Sequence, residues 1–305
     1  MYYSSTFKEK TRKNIENDFF IHFLYFCKIN YALYMYNVSF NGKLFAFQNQ
    51  IVMGIVNATP DSFYKFEGLD DNLLLKTVET HLSNGTTIID IGGCSTRPNT
   101  EYASQDEEYE RVEHALKVIR RQFPDIILSI DTFRSEVAQM AVQRFGVAMV
   151  NDISGGQLDN NMFCTVGQMG IPYILTHYNV IQSPKEGNEF IAEVINYFQE
   201  RIYKLKQYGV KDIILDPGLG FGKSIQQNYM LLKRLGELKI FRLPILVGVS
   251  HKSMIYKTLD ITASDTRCDF GTTTLETAAL QNGADIIRTH NSRIASDTIK
   301  LLTQL

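Results

Sequence analysis

Between Ile51 and His290, short runs of β-branched and other apolar residues recur eight times. Each is followed by a longer stretch in which apolar residues return every three or four positions. The short runs predict strands over Ile51–Asn57, Thr86–Gly93, Ile127–Thr132, Ala148–Ile153, Tyr173–His177, Asp212–Asp216, Ile245–Ser250 and Asp285–His290. The longer stretches predict helices over Asn72–Ser83, Asp106–Phe123, Ser135–Arg144, Asn160–Met169, Glu189–Tyr208, Gln226–Leu238, Thr272–Asn282 and Ile294–Leu302. Sets such as Val112, Ala115, Leu116 and Ile119 place one apolar stripe of a helix against a sheet. Ile213-Ile214-Leu215 and Ile245-Leu246-Val247 are apolar throughout, as strands buried on both faces require.

Eight right-handed strand–helix units close into a barrel, so the fold expected is α/β, a (β/α)8 TIM barrel. An open doubly wound sheet would use the same alternation. Its G-x-G-x-x-G turn is absent, however, because the first strand runs into Val56-Asn57-Ala58-Thr59-Pro60. Ahead of that strand, Val38-Ser39-Phe40 and Leu44-Phe45-Ala46-Phe47 flank Asn41-Gly42. That dipeptide favours a type I′ turn, so an N-terminal β-hairpin is expected to plug one end of the core. The organisation expected is an N-terminal extension over residues 1–34 and one barrel domain over 35–305, with Met35 an alternative start.

Lys and Arg number 31 against 33 Asp and Glu, a net charge of −2. No global field therefore draws the chain to nucleic acid or to an acidic membrane, and an anionic substrate has to be held by local charges. Cys27, Cys94, Cys164 and Cys268 are scattered with no C-x-x-C pair, which disfavours a zinc site or a secreted disulfide framework and fits a reducing cytoplasm. The apolar stretch from Phe19 is interrupted by His22, Lys28 and Asn30, short of the roughly 20 residues a spanning helix needs. Basic residues precede it, but no small-residue cleavage site follows, so it is not read as a signal peptide.

In a barrel of this kind, chemistry sits at the carboxyl ends of the strands. Those ends carry Asn57, Ser95 to Pro98, Asp131, Asn151, His177, Asp216, Lys252, Arg288 and His290. Any one of them could merely cap the next helix; their common location favours a site. Asp131, Asn151 and Asp216 offer acceptors and an amide to a flat heterocycle rich in N–H donors, such as an aminopyrimidinone, and Lys252 adds a donor. Arg288 suits phosphate oxygens in a bidentate fork, His290 adds a hydrogen bond, and Asn57 offers a neutral oxygen to a largely hydrated Mg2+ on the same phosphates. The loop Asp216-Pro217-Gly218-Leu219-Gly220-Phe221-Gly222-Lys223 places a carboxylate at a strand end, with glycines that allow close backbone approach to a ligand.

These residues fall in strings that resemble the dihydropteroate synthase family, in the family's order, from about Ile51 to Leu302. The strings are Met53-Gly54-Ile55-Val56-Asn57-Ala58-Thr59-Pro60-Asp61-Ser62-Phe63, Ile89-Asp90-Ile91-Gly92-Gly93-Cys94-Ser95-Thr96-Arg97-Pro98, Ile130-Asp131-Thr132, Asn151-Asp152-Ile153, Leu215 through Lys223, Ser250-His251-Lys252-Ser253-Met254-Ile255 and Ile287-Arg288-Thr289-His290. The resemblance implies condensation of 6-hydroxymethyl-7,8-dihydropterin pyrophosphate with 4-aminobenzoate to give 7,8-dihydropteroate and pyrophosphate in folate synthesis. It implies Asp131, Lys252, Arg288 and His290 as catalytic residues and Asp131, Asn151, Asp216 and Lys252 around the pterin. Asn57, Arg288 and His290 would hold pyrophosphate with Mg2+ on Asn57, and Thr96, Arg97, Pro98, Phe221 and Ser253 would bind 4-aminobenzoate. It further implies a homodimer and a target of sulfonamides.

The pattern departs from the family at four places. Lys65 replaces the acidic residue of the first loop, with Glu67 a possible substitute, Cys94 stands for Glu, His251 for Arg, and Asn291 for Asp. A non-catalytic pterin-binding paralogue and a pterin-dependent methyltransferase are the alternatives; the latter has no pyrophosphate for Arg288, His290 and Lys252 to hold. Gly220-Phe221-Gly222-Lys223-Ser224 ends like a P-loop, yet Pro217 occupies the position of its first glycine. Gly248-Val249-Ser250-His251-Lys252 lacks the second glycine of a hydrolase elbow.

Overall fold

The computed structural model describes residues 36–40, 42–59, 64–65, 68–94, 102–179 and 183–305. The expected extension and Met35 lie outside these residues, as do Asn41, Thr96, Arg97, Pro98 and Glu67. Strand β1 (Asn37–Phe40) pairs antiparallel with β2 (Lys43–Ala46), Phe40 facing Lys43, and Gly42 between the strands has φ of +75°. Val38, Phe40 and Phe47 are buried, and the Ser39 amide donates to Asp212 Oδ2 at 3.3 Å, just before a barrel strand begins. The hairpin thus seats at the amino-terminal end of the strands, opposite the end expected to carry the chemistry.

The barrel strands are β3 (Ile51–Asn57), β6 (Ile88–Gly92), β7 (Ile127–Asp131), β8 (Met149–Asp152), β9 (Tyr173–Thr176), β10 (Ile213–Asp216), β11 (Leu246–Val247) and β12 (Ile286–Thr289). A small antiparallel pair, β4 (Tyr64–Lys65) and β5 (Gly68–Leu69), lies in the loop after β3. The eight barrel strands are parallel in the order β10-β9-β8-β7-β6-β3-β12-β11. A parallel bridge between Leu215 and Ile245, with the Leu215 amide donating to the Pro244 carbonyl at 2.9 Å, brings the two ends of that order together.

Helices α1 (Asp71–Ser83), α2 (Gln105–Gln122), α3 (Ser135–Phe145), α4 (Met162–Met169), α5 (Gly187–Gln207), α6 (Ile225–Lys233), α7 (Ser253–Thr258), α8 (Arg267–Gln281) and α9 (Ser292–Leu302) cover the outside. Ser104 with Glu107 and Ser224 with Gln227 form reciprocal capping boxes at the starts of α2 and α6, and Gly146 ends α3 in the left-handed region.

Three expectations need correction. The helix expected over Gln226–Leu238 stops at Lys233 and continues as a 3-10 turn over Leu235–Phe241, because Leu235 and Leu238, three residues apart, are both buried and the tighter winding stacks them. The helix expected from Thr272 begins five residues earlier, and the separate α7 follows Lys252 at once. The strand expected over Ile245–Ser250 pairs regularly only at Leu246 and Val247.

Candidate active site

Parallel pairing aligns Asn57 of β3 with Gly92 of β6, Gly92 with Asp131 of β7, and Asp131 with Asn151 of β8. Three polar groups from separate strands therefore stand at one level around the carboxyl end, with a glycine between the first two. A methyl built on Gly92 would lie 3.5 Å from Asp131 Cβ and 3.6 Å from Asn57 Oδ1, so those side chains flank an open notch.

Side chains alternate faces along a strand, so Asp90 shares the inward face of β6 with Gly92, one layer deeper. It is 0% exposed. Its Oδ2 accepts from Arg288 Nε at 2.6 Å and from Asn151 Nδ2 at 2.8 Å. The same guanidinium reaches Asp131 through Nη2, 2.5 Å from Oδ2. Asp90 and Asp131 hold Arg288 above its ordinary pKa against the opposing effect of burial. Burial pushes Asp131 up to about 7, Arg288 pulls it down, and Asp90, Glu108 and Asp152 push it up further.

The second half of the site is the loop after β10. Asp216 Oδ1 accepts from the Gly218 amide at 2.7 Å, and burial raises this carboxyl against the pull of Lys252. Lys252 Nζ bonds the Leu219 carbonyl and lies 4.6 Å from the centre of the Phe221 ring; burial lowers it to about 8 although Asp216 favours its charge. Lys223 ties the loop down by donating to the carbonyls of Gly218 (2.7 Å), His177 (2.9 Å) and Phe221 (3.1 Å). Burial lowers its pKa to about 7, with Asp216 favouring the ammonium, Lys252 opposing it and Glu193 favouring it. Gly218 has φ of +64° and passes so close to β9 that a Cβ there would sit 2.1 Å from the His177 carbonyl oxygen.

His290 follows β12, two residues beyond Arg288 and so on the same side, and its Nδ1 lies 2.9 Å from Ser250 Oγ. Ser253 opens α7 directly after Lys252. His177 is not part of this cluster: its ring is buried against Tyr197, Phe190 and Phe198, the first at 4.6 Å, and burial pushes it down to about 2, so it stays neutral. Among the described residues, then, the structure brings together Asn57, Asp131, Asn151, Asp216, Lys252, Phe221, Arg288 and His290, and sets His177 apart.

The departures from the family find local partners. Burial, then the charge of Glu108, pushes the Cys94 thiol up, away from a reactive thiolate. His251 sits at φ of +54°, with Nε2 2.8 Å from Asp269 and its ring 6.2 Å from that of His290. Asn291 caps α9 by accepting from the Ile294 amide, a role Asn fills as well as Asp. The side chain of Lys65 lies outside the described residues.

Asp90 and Lys223 were missed at the level of sequence. Asp90 carried a signal: a lone carboxylate between Ile89 and Ile91 in a strand buried on both faces needs a cationic partner. Lys223 carried none, since its partners are backbone carbonyls that only the folded loop assembles. The pair of buried Glu108 with Arg134, whose guanidinium also bonds the Ala103 carbonyl, likewise joins residues distant in sequence.

Comparison with known proteins decides the family. The model of the "Pterin binding enzyme" family matches residues 53–290. The chain belongs to this family. Its relatives include the dihydropteroate synthase of Synechocystis, 40% identical over 83% of this chain and 89% of that protein, and that of Clostridium beijerinckii, 38% identical over 81% and 92%. The folic acid synthesis protein fol1 of Pneumocystis carinii is 40% identical over 79% of this chain, which spans 34% of that longer protein. Among solved structures, the dihydropteroate synthase of Coxiella burnetii in complex with pteroic acid superposes with a TM-score of 0.79 at 34% identity over 88% of this chain and 98% of that one. The Xanthomonas albilineans enzyme with 4-aminobenzoic acid gives 0.80 at 28% identity over the same shares. Within the pterin-binding enzymes the chain falls among the dihydropteroate synthases, transferases of folate synthesis.

Proposed function

We propose that this cluster condenses 6-hydroxymethyl-7,8-dihydropterin pyrophosphate with 4-aminobenzoate. The observation that carries the reading is the meeting of Asp131, from the acidic and amide row, with Arg288, the cation suited to pyrophosphate, at 2.5 Å on one face of the barrel. Asp131, Asn151, Asp216 and Lys252 hold the pterin ring by its N–H edge and carbonyl. Arg288 and His290 take the pyrophosphate oxygens. The bond between the pterin methylene carbon and the bridging oxygen breaks, and its electron pair leaves with pyrophosphate. Arg288 and His290 stabilise the charge that builds on those oxygens, and the Asp131 carboxylate stabilises the pterin-methyl cation. The amine of 4-aminobenzoate then attacks that carbon and loses a proton to solvent. No side-chain nucleophile takes part.

Phe221 and Ser253, with Thr96, Arg97 and Pro98 outside the described residues, are the proposed 4-aminobenzoate contacts, and sulfonamides would compete there. Among the described residues no group of three His, Cys, Asp or Glu is arranged to hold a metal. Asn57 fits Mg2+ only as one neutral oxygen on an ion that otherwise keeps water and phosphate ligands. An ion so held would neutralise charge on the leaving group. We read the protein as a cytoplasmic homodimer; the scattered cysteines, with no C-x-x-C pair, suit a reducing compartment, and among the described residues no helix is long and apolar enough to cross a membrane.

The test is turnover by the full chain with both substrates and Mg2+, read as pyrophosphate release and 7,8-dihydropteroate formation. Product formation supports the reading. Absence of product, or calorimetric binding of methyltetrahydrofolate in preference to the pterin pyrophosphate, overturns it.

A further inference from the structure

The reaction outlined above gives Asp90 no contact with substrate, yet it joins two residues of the proposed site, Arg288 and Asn151, from a fully buried position. One oxygen, Oδ2, accepts both Arg288 Nε and Asn151 Nδ2, at 2.6 Å and 2.8 Å. An ionised carboxylate only accepts hydrogen bonds, so the contact settles which way the Asn151 amide points: its NH2 faces down to Asp90 and its Oδ1 faces away. That Oδ1 is buried and has no hydrogen-bond partner among the described residues, an arrangement left open for a donor brought by a ligand.

Arg288 shows a complementary division. Its Nε is held by Asp90, which is out of reach of solvent, while its Nη2 rests on Asp131 at the pocket level. If Asp131 is to turn to the pterin and the guanidinium to pyrophosphate, the Nη2 contact has to be given up. A buried cation cannot release its only carboxylate without a large penalty, but it can release one of two.

We propose that Asp90 is a positioning residue for the reaction read above. It is the permanent partner that orients the Asn151 amide toward the pterin and lets Arg288 exchange Asp131 for the pyrophosphate oxygens. Asp131 is the exchangeable partner. The inference rests on the proposed function, and the experiment separates the two.

The substitution is Asp90→Asn, which preserves shape but removes the charge and the acceptor-only character. The KM for the pterin pyrophosphate is expected to rise about ten- to a hundredfold, the loss that follows when one charge-assisted hydrogen bond no longer holds its partner. The KM for 4-aminobenzoate is expected to stay within about twofold, a split that general loosening of the barrel would not produce. The acid limb of kcat/KM should also move to lower pH. Of the groups facing Asp131, Asp90 pushes its carboxyl up together with Glu108 and Asp152, and Arg288, freed of Asp90, would lean wholly on it.

A wild-type measurement guards against a variant that does not fold. The Arg288 Nε–H resonance is expected to remain protected from exchange when pterin pyrophosphate is added, while the Asp131 carboxyl signal moves. Wild-type enzyme that makes no product refutes the proposed function. Active wild-type enzyme with an unchanged KM and pH profile in Asp90→Asn, or with an Nε–H that loses protection on binding, refutes the positioning role alone.

Discussion

Gly218 and Gly146 form a matched pair for testing how the active-site loop is held. Both lie in the left-handed region, at φ of +64° and +61°. A methyl on Gly146 would meet nothing within 4 Å, so Gly146→Ala should lose only the conformational preference of glycine, about 1 kcal/mol. At Gly218 the same methyl would stand 2.1 Å from the His177 carbonyl oxygen and 3.1 Å from Thr176 Cγ2. That oxygen has to retreat by about 1 Å before the contact is tolerable. It also accepts from Lys223 Nζ at 2.9 Å, and the His177 amide pairs with the Asp216 carbonyl at 2.9 Å, so the retreat breaks a charge-assisted hydrogen bond and strains the strand pair. Adding about 2–3 kcal/mol for that bond gives roughly 3–4 kcal/mol in all for Gly218→Ala. Urea unfolding of both variants, with the midpoint shift converted through a common m-value, measures the difference. Because the Gly218 amide also anchors Asp216 at 2.7 Å, the KM for the pterin substrate should rise in Gly218→Ala and stay constant in Gly146→Ala. Equal stability losses in the two variants would show that the loop does not depend on this close approach.

Three further expectations concern charge. Asp131 has to be ionised and Lys252 protonated, and they are shifted to about 7 and about 8, so kcat/KM should rise with pH through the first value and fall through the second, giving a narrow bell; a flat profile from pH 6 to 9 would remove both from the rate. Lys223→Met should cost about 2–3 kcal/mol in urea unfolding by stripping three carbonyls of their donor, and Lys223→Arg should not restore it because a planar fork cannot converge on all three; wild-type stability in either variant counts against the hub. Burial raises Glu276 to about 7, so its proton is bound more tightly in the folded chain than in the unfolded one, and the folded protein loses stability as pH rises from about 4.5 to about 7. Glu276→Gln should therefore be more stable than wild type by a few kcal/mol above pH 7, with the gain vanishing near pH 4.5, and thermal melts across that range would reveal a constant difference if the reasoning is wrong.

The barrel was legible because its two periodicities are clean: strands apolar on both faces alternate with helices bearing one stripe, and every expected barrel strand is present. Turn chemistry was equally plain at Gly42. Less legible was the direction of each side chain. His177 ends a strand like Asp131 and Asp216 but turns to the aromatic layer of α5, which a list of strand ends does not distinguish. The break after Lys233 was hidden because Leu235 and Leu238 continue a spacing that α- and 3-10 helices share. Lys223 escaped for a different reason: its ligands are main-chain oxygens of residues 177, 218 and 221, and main-chain atoms have no letter in a sequence. The family strings suggested what local physics did not, namely the proposed division of one polar cluster between two substrates.

The notch at Gly92 bears on how such an enzyme can resist an inhibitor. Its neighbours Asn57 and Asp131 leave space for a methyl at ordinary contact distance and little more, so any bulkier residue would rise from the pocket floor. If the pterin ring rests on this floor, as proposed, a side chain grown there to displace a competing flat ring would displace the substrate with it. On that reading the floor at Gly92 admits no larger residue without cost to the substrate, and selectivity between rings has to be set by the walls of the pocket.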